Sequence, residues 1–235
     1  DTGISKTHPD LNWYNGVTVR GIGKAGGDDD NGHGSHVAGT AAAIDNGIGV
    51  VGVAPGARLW SVKVLNKNGS GSISGVIAGI DYVTQQASLI EVANMSLGAV
   101  GRSDAFHLAI QNSVAAGIFY AVAAGNSRTD IYGADGELGT TDDSIPAAYP
   151  EVAAVSAIAD SDGQPGGIGA PTTWGYDDTF AIFSNFSRSV TANNPVASPG
   201  AAIDLAAPGV DILSTWKGTG YNVLSGTSMA SPHVC

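Results

Sequence analysis

The sequence predicts an α/β fold with a mainly parallel central sheet and helices on both faces. Three observations favour this fold class: short, almost continuous apolar runs, amphipathic segments of helical length, and the alternation of the two along the chain. Strands that are apolar on both faces are typical of parallel sheets covered by helices. A chain of 235 residues is long enough to bury such a core, so we expect a single domain over residues 1–235.

The elements are predicted in chain order from these patterns. The expected strands are RLWSVKVL (58–65), LIEVANMSL (89–97), IFYAVAAG (118–125) and EVAAVSAIA (151–159). The expected helices are SISGVIAGIDYVTQQA (72–87), DAFHLAIQNSVAAG (104–117) and a last one in SGTSMASPHV (225–234), where Thr227 or Ser228 is suited to cap. Two long polar segments, 126–144 and 160–178, are expected to be surface loops, and their Asp, Gly and Thr content also suits ion binding.

Composition and charge exclude several functional classes. Apolar residues make up 43% of the chain and charged residues 13%, which is typical of a globular protein rather than a disordered one. The net charge of −11 argues against a nucleic-acid partner, because no basic surface would neutralise phosphates. No apolar run approaches the ~18 residues that a membrane span needs. Cys235 is the only cysteine, so no internal disulfide is expected.

The two ends of the chain suggest a piece of a longer protein. It begins at Asp1 without Met, signal peptide or pro-segment, and it stops at Cys235 where an apolar helix begins. We therefore expect an internal fragment, truncated at both ends, that is inactive or unfolded by itself.

The stretch NGHGSHVAGT (31–40) places His33 and His36 three residues apart. Zinc is disfavoured, because it needs three or four ligands and no zinc-protease signature is present. A general base instead needs a carboxylate to orient it and a nucleophile to activate. DTGI supplies Asp1, and SGTSMASPHV supplies a serine at the start of a helix, where backbone N–H groups favour an oxyanion.

DTGISKTHPDL, NGHGSHVAGT and SGTSMASPHV resemble the three catalytic signatures of the subtilisin-like serine proteases, in that family's order Asp, His, Ser. GVAPGARLWSVKVL, NMSLG and AVAAGN extend the resemblance over nearly the whole chain. The resemblance implies the family's three-layer fold and a serine endopeptidase that hydrolyses proteins or peptides through an acyl-enzyme. Ser228 would be the nucleophile, His33 the general base and Asp1 the carboxylate that orients it. His36 would be the family's second, non-catalytic histidine, packed and hydrogen-bonded in the helix.

The resemblance also implies an oxyanion hole and a substrate site. The amide of Asn126, in AAGN, would donate to the oxyanion beside the Ser228 N–H. Peptide backbone would lie along two extended edges, NGSG and SLGA, whose glycines allow close approach. Ala99 stands where the family usually has a second Gly, and neither edge carries an acidic residue, so we expect an apolar or broad preference. The implied substrate-binding residues are Asn68, Gly69, Ser70, Gly71, Ser96, Leu97, Gly98, Ala123 and Gly125.

The segment IDNGIGV (44–50) is suited to calcium, because its glycines allow a loop whose carbonyls turn inward. The resemblance implies a structural Ca²⁺ and no organic cofactor. The implied ligands are Asp10, Asn46 and the carbonyls of Ile44, Ile48 and Val50. The family also implies a secreted, extracellular protein, made with a signal and a pro-segment and expected to be a monomer. The aspartates at positions 28–30 are expected to be solvated loop charges, although they could raise the pKa of His33 or bind an ion.

Three other functions would need different sequence features. An aspartic protease needs a second Asp-Thr/Ser-Gly, and a lipase or esterase needs Gly-x-Ser-x-Gly; the chain contains neither. A catalytically inactive peptide- or calcium-binding relative of the same fold remains the alternative, although such relatives usually lose a triad member and this chain has all three residues.

Overall fold

The computed structural model describes residues 1–187 and 202–235. The chain forms two compact units. The first unit comprises Asp1–Glu91, Ala115–Ile118 and Leu213–Val223, and the second comprises Val92–Val114, Phe119–Ile212 and Leu224–Cys235. Among the described helices, none has the length and apolar character that crossing a membrane requires.

The predicted elements occur in the predicted order, and the described residues form seven further strands, of two to six residues, that were not predicted. The strands are β1 (Trp13–Thr18), β2 (Leu59–Lys63), β3 (Val92–Met95), β4 (Ala99–Val100), β5 (Phe119–Ala123), β6 (Ser144–Ile145), β7 (Ala153–Ala159), β8 (Thr179–Phe180), β9 (Leu205–Pro208), β10 (Ile212–Thr215) and β11 (Tyr221–Leu224). The helices are α1 (His33–Ala42), α2 (Ile73–Gln85), α3 (Asp104–Ala115) and α4 (Thr227–Val234).

The first unit contains a parallel strand pair, β1 and β2, and the helices α1 and α2. A small core of Ile4, Leu11 and Ala38 joins the N-terminal segment to α1. Helix α2 begins as expected, because the Ser72 side chain accepts a hydrogen bond from the Gly75 N–H at 3.0 Å. Strands β10 and β11 are close to the C-terminus in sequence and pair as a two-stranded sheet, and most of their residues belong to the first unit.

The second unit is built on a mainly parallel sheet with the strand order β3-β5-β7, to which β9 adds in parallel and β8 in antiparallel orientation. Helix α4 covers one face, where Ala230 packs with Val155 and Ala157. The Ser113 hydroxyl of α3 contacts the Tyr120 hydroxyl at 2.8 Å. Because alternate residues of a strand point to opposite faces, Tyr120 places α3 on the other face. The predicted α/β class, with a mainly parallel sheet between helices, is confirmed.

Two local predictions differ from the structure. The residue that precedes α4 is Gly226 rather than Thr227 or Ser228, and no side chain caps the helix. The Thr227 hydroxyl is engaged elsewhere, since it accepts from the Gly125 N–H and donates to Asn126. The predicted extended edge at 68–71 begins as a turn, because the Gly69 N–H donates to the Asn66 carbonyl at 2.9 Å.

Candidate active site

The first unit brings Asp1 and His33 into direct contact. The Nδ1 atom of His33 lies 2.8 Å from Asp1 Oδ1 and 3.0 Å from Oδ2. An ionised carboxylate only accepts hydrogen bonds, so Nδ1 carries the proton and Nε2 is left with its lone pair. The Thr2 N–H donates to Asp1 Oδ1 at 2.6 Å and holds the carboxylate from the other side. The pair has the geometry of a general base with its orienting acid.

Burial keeps His33 neutral at neutral pH. It is the largest influence on this residue and lowers the pKa of the imidazole to about 4. The charge of Asp29 acts in the opposite direction, but the net shift is downward. A neutral imidazole is the form that accepts a proton from a nucleophile.

A buried lysine lies beneath this pair. The Lys63 side chain is fully buried, and its ammonium donates to the carbonyls of Thr2 and Leu65 and to Asp30 Oδ1 at 2.7 Å. Burial alone raises the pKa of Asp30, but the hydrogen bond and charge of Lys63, together with backbone donors, outweigh it and hold that pKa below its usual value. Lys63 therefore ties β2 to the segment that carries Asp1.

The expectation that residues 28–30 are three solvated charges is wrong for two of them. Only Asp28 fits it, with a 32% exposed side chain that pairs with Lys24. Asp29 is 3% exposed and accepts several hydrogen bonds, and Asp30 pairs with the buried Lys63. The sequence contains three identical neighbours, and only the backbone path decides which carboxylate turns inward.

His36 has the packed position expected of it. It is fully buried, its Nε2 lies 3.1 Å from the Asn222 carbonyl, and its ring meets Trp216 edge-on at 6.3 Å. The two histidines of the opening motif therefore differ in their surroundings: His33 contacts a carboxylate, whereas His36 contacts a carbonyl and an indole.

In the second unit, Ser228 is the second residue of α4, where backbone N–H groups lack partners inside the helix. Asn126 follows β5 and is held by the same helix end. Its Oδ1 accepts from the Thr227 N–H at 2.8 Å and from the Thr227 hydroxyl at 2.9 Å. Because both donors bind the oxygen, the amide nitrogen of Asn126 is the end left to act as a donor.

Strand β3 also holds the start of α4 through neutral side chains. The Ser96 hydroxyl donates to the Ser228 carbonyl at 2.7 Å and accepts from Asn94 at 2.9 Å. The Ser231 hydroxyl donates to Asn94 Oδ1 at 2.7 Å. The Ser96 side chain is 4% exposed and so supports the serine-bearing helix, a role that the sequence did not suggest.

The remaining candidate substrate residues lie in three places. In the first unit, Asn68, Gly69, Ser70 and Gly71 are exposed, and the first two belong to the turn described above. In the second unit, Leu97 and Gly98 lead from β3 into β4, which pairs antiparallel with β6. Ala123 ends β5, and Gly125 lies between it and Asn126.

Asn185 is a supporting residue that sequence reasoning missed. It is 3% exposed, its amide nitrogen donates to the Ala124 carbonyl at 2.9 Å, and its Oδ1 accepts from the Ser127 N–H at 2.9 Å. Asn185 thus holds the backbone in place on both sides of Gly125 and Asn126. No local pattern marks it, because its partners are about 60 residues away in sequence. Asn94 and Thr227, by contrast, lie inside the motifs NMSLG and SGTSMASPHV, which is a local signal that marks them.

The candidate calcium residues converge around Asp10, which is fully buried. Its Oδ2 accepts from the Val50 N–H at 3.1 Å and from the Tyr221 hydroxyl at 3.2 Å. Among the described residues, its Oδ1 is buried with no hydrogen-bond partner. The Ile44 N–H donates to the Asp10 backbone carbonyl, and the Asn46 Oδ1 accepts from the Ile48 N–H within the loop, so Val50 is the candidate residue that contacts the Asp10 carboxylate directly among these bonds.

Comparison with known proteins identifies the family of the chain. The sequence model of the Subtilase family, Peptidase_S8, matches residues 1–235. Subtilisin DY of Bacillus licheniformis is 39% identical over 234 residues, which are the whole of this chain and 71% of that protein. Subtilisin Savinase of Lederbergia lenta is 38% identical with the same coverage. A crystal structure of a cold adapted subtilisin-like serine proteinase superposes with a TM-score of 0.73 at 35% identity, covering all of this chain and 70% of that one.

The chain belongs to the subtilase family of serine proteases. Within that family it has the subtilisin-like fold and is a subtilisin-like serine endopeptidase.

Proposed function

We propose that the protein cleaves peptide bonds through a triad of Asp1, His33 and Ser228, with Asn126 and the Ser228 N–H as the oxyanion hole. The observation that carries the proposal is the contact of His33 Nδ1 with both oxygens of Asp1. It fixes the tautomer in which Nε2 is the base. Membership of the family supplies the expectation that this base serves Ser228.

The reaction follows from these roles. The Ser228 Oγ attacks the carbonyl carbon of the scissile bond, and its proton passes to His33 Nε2. Asp1 stabilises the imidazolium, while Asn126 Nδ2 and the Ser228 N–H donate to the oxyanion. Collapse of the tetrahedral intermediate expels the amine, which takes the proton from His33 and leaves an acyl-enzyme. Water then attacks the ester by the same route and releases the acid and the free Ser228 hydroxyl.

The test uses the full-length protein and compares Ser228→Ala with Ser88→Ala, an exposed serine of the first unit. We expect Ser228→Ala to lower kcat on a peptide anilide by about 10⁶-fold, the scale known from a subtilisin, and Ser88→Ala to have no effect. Phenylmethylsulfonyl fluoride should add one sulfonyl group to the wild type and none to Ser228→Ala, as measured by mass spectrometry. Equal hydrolysis by Ser228→Ala and wild type contradicts the triad, and an inactive wild type favours the alternative of a non-catalytic relative.

We propose that a peptide substrate lies along Asn68–Gly71 and Ser96–Gly98, with Ala123 and Gly125 beside the scissile bond. Neither segment carries a carboxylate, which favours apolar or varied side chains over basic ones. A library of anilides that differ only in the residue before the scissile bond tests this. A preference for Lys or Arg above tenfold over Leu and Phe is the result that contradicts it.

We propose that Asp10, Asn46 and the carbonyls of Ile44, Ile48 and Val50 hold a structural calcium ion. The Oδ1 of Asp10, which is buried and has no hydrogen-bond partner among the described residues, supports this, because an uncompensated buried carboxylate oxygen is costly and a hard cation is its natural partner. The ion would stabilise the loop and take no part in the chemistry. A site of this type suits a secreted, extracellular monomer matured from a precursor with a pro-segment, and we propose that setting for this protein.

Calcium binding is tested by thermal unfolding. Addition of Ca²⁺ after chelation should raise the Tm of the wild type and of Asp45→Asn, whose side chain is exposed in the same loop. The same addition should leave the Tm of Asp10→Asn unchanged. A wild type whose Tm ignores both chelator and calcium is evidence against the site.

A further inference from the structure

The carboxylate of Asp29 is the most heavily hydrogen-bonded group around the first turn of α1. Its Oδ1 accepts from the Thr2 hydroxyl at 3.0 Å and from the N–H groups of Asn31 at 2.9 Å and Gly32 at 3.0 Å. Its Oδ2 accepts from the Ser35 N–H at 3.0 Å and from the Ser35 hydroxyl at 2.6 Å. With 3% of its surface exposed, the group lies where such charge-assisted bonds are strong.

These bonds supply the cap that α1 lacks. Gly32 precedes the helix and has no side chain to cap it. Asp29 instead accepts from Ser35, the third helical residue, which is the donor that an N-cap side chain usually satisfies. Its negative charge also lies at the positive end of the helix dipole. The helix that begins with His33 therefore starts where Asp29 holds it.

Thr2 extends the same network to the catalytic carboxylate. The Thr2 side chain is fully buried, and its hydroxyl donates to Asp29 while it accepts from the Gly34 N–H at 2.9 Å. The adjacent Thr2 N–H is the donor that holds Asp1 Oδ1. One residue thus binds the acid with its backbone and binds Asp29 and α1 with its side chain.

The two segments are packed too closely to move independently. A Cβ added at Gly34 would lie 2.1 Å from the Gly3 carbonyl and 3.1 Å from Asp1 Oδ1. The backbone of α1 therefore touches the Asp-Thr-Gly turn directly, with no room for a side chain between them. The contact between His33 and Asp1 closes a ring whose other links are Thr2 and Asp29.

We propose that Asp29 is a positioning residue for catalysis: its buried carboxylate locks the Asp1-Thr2 turn to the first turn of α1 and so sets the His33 imidazole against Asp1. The role rests on the proposed triad, since it acts through His33 and touches no substrate. Loss of this lock changes the angle and distance at which His33 receives the proton, and so lowers kcat more than it raises KM.

The test is Asp29→Asn, with Asp28→Asn as the matched control. Asparagine has the shape of aspartate, but its NH₂ replaces one oxygen, and each oxygen of Asp29 faces at least one backbone N–H donor. In either orientation of the amide, the introduced NH₂ group faces a backbone N–H group, and two donors cannot form a hydrogen bond. We expect kcat to fall about 10- to 100-fold with KM within about threefold, whereas Asp28→Asn stays within about twofold of wild type.

A second measurement reports on position without using activity. In the wild type, the His33 Nδ1 proton lies in a short hydrogen bond to Asp1 and should give a strongly downfield proton NMR signal. We expect this signal to shift or broaden in Asp29→Asn and to persist in Asp28→Asn and in Ser228→Ala. Failure of the triad therefore appears as activity in Ser228→Ala, while failure of the Asp29 role appears as an unchanged signal.

Thr2 covers the case in which Asp29→Asn does not fold. Thr2→Ser keeps the hydroxyl that joins Asp29 to Gly34, and Thr2→Val removes it at similar volume. We expect Thr2→Ser to retain kcat within about threefold and Thr2→Val to lose about tenfold or more, with the same change in the downfield signal. Equal kcat and equal signals in the two Thr2 variants overturn the proposal, as does a folded Asp29→Asn with wild-type kcat.

Discussion

In the first unit the groups that hold His33 carry full charges, whereas in the second unit the groups that hold Ser228 are neutral. Asp29 binds the start of α1, and Lys63 with Asp30 anchors the segment that carries Asp1. Around Ser228 the bonds come from amides and hydroxyls, and they involve Asn94, Ser96, Asn126 and Thr227.

We call His33 with Asp29, Asp30 and Lys63 the charged half of the site, and Ser228 with its amide and hydroxyl partners the neutral half. The difference between them matches the charge that develops on each in the proposed reaction. His33 gains a positive charge during attack, so fixed carboxylates nearby stabilise the change. Negative charge develops beside Ser228 and Asn126, and a fixed carboxylate there would oppose it. Neutral dipoles hold the second half firmly without adding such a charge. The groups that hold each half are therefore charged or neutral according to the sign of the charge that develops on that half during the reaction.

The largest expected effect comes from placing a charge in the neutral half. Removal of an oxyanion donor costs roughly 10²–10³ in turnover, a scale taken from a subtilisin itself, and we expect that loss for Asn126→Ala. Asn126→Asp keeps the acceptor for Thr227 but replaces the donor with a carboxylate. Its kcat on a peptide anilide at pH 8 should therefore lie below that of Asn126→Ala. A higher kcat for the Asp variant would show that the neutrality of this half is unimportant.

Removal of a charge from the first half should chiefly affect stability. Lys63→Met keeps the volume of the side chain but leaves Asp30 and two carbonyls without their donor. Breaking a buried pair costs about 3–5 kcal/mol, and we expect the lower end, about 3 kcal/mol, because Asp30 keeps 17% exposure to water. Urea unfolding of wild type and Lys63→Met measures the change. A loss below about 1 kcal/mol would mean that this ion pair contributes little.

The sequence predicted the elements that carry long apolar patterns. Helix α3 was expected at 104–117 and spans Asp104–Ala115, and β7 was expected at 151–159 and spans Ala153–Ala159. Both rest on side-chain periodicity, which is a local property of the chain. The strands β4, β6 and β8 were not predicted, since two residues cannot establish a period, and β1, β9, β10 and β11, with four to six residues each, were not predicted either.

The site could be predicted only as far as its motifs reached. Asp1, His33, Asn126 and Ser228 stand in recognisable stretches. Contacts between segments far apart in the chain decide the rest. They determine the burial of the Asp29 carboxylate, the burial of Lys63 and the hydrogen bonds of Asn185. A charged residue in a polar loop is usually solvated, and that general rule was wrong here because the loop folds over the start of a helix.

A milder change removes one uncharged hydrogen-bonding group from the neutral half. Thr227→Val leaves the partly buried Gly125 N–H without its acceptor and Asn126 without one of its two donors. We expect a stability loss of about 1–2 kcal/mol and a several-fold lower kcat. Thr227→Ser keeps the hydroxyl and should recover most of both. Because no charge is involved, the difference between the two variants should be the same at low and high salt; a strong salt dependence is the contrary result.

The smallest effect is expected on acidification of the charged half. Lys63 and backbone donors hold the pKa of Asp30 below its unfolded value of 3.8, so the folded state binds the proton less readily than the unfolded state. The stabilisation is therefore present above about pH 4 and is lost as the pH falls through the folded pKa.

Asp30→Asn removes the titrating group but keeps an acceptor for Lys63. We expect it to be less stable than wild type at pH 7 by about 0.5–1 kcal/mol, and this gap should narrow towards pH 3 in urea unfolding. Asp81→Asn, an exposed aspartate of α2, should show no such gap at either pH. A gap for Asp30→Asn that stays constant from pH 7 to pH 3 would mean that Asp30 acts through its shape and not through its charge.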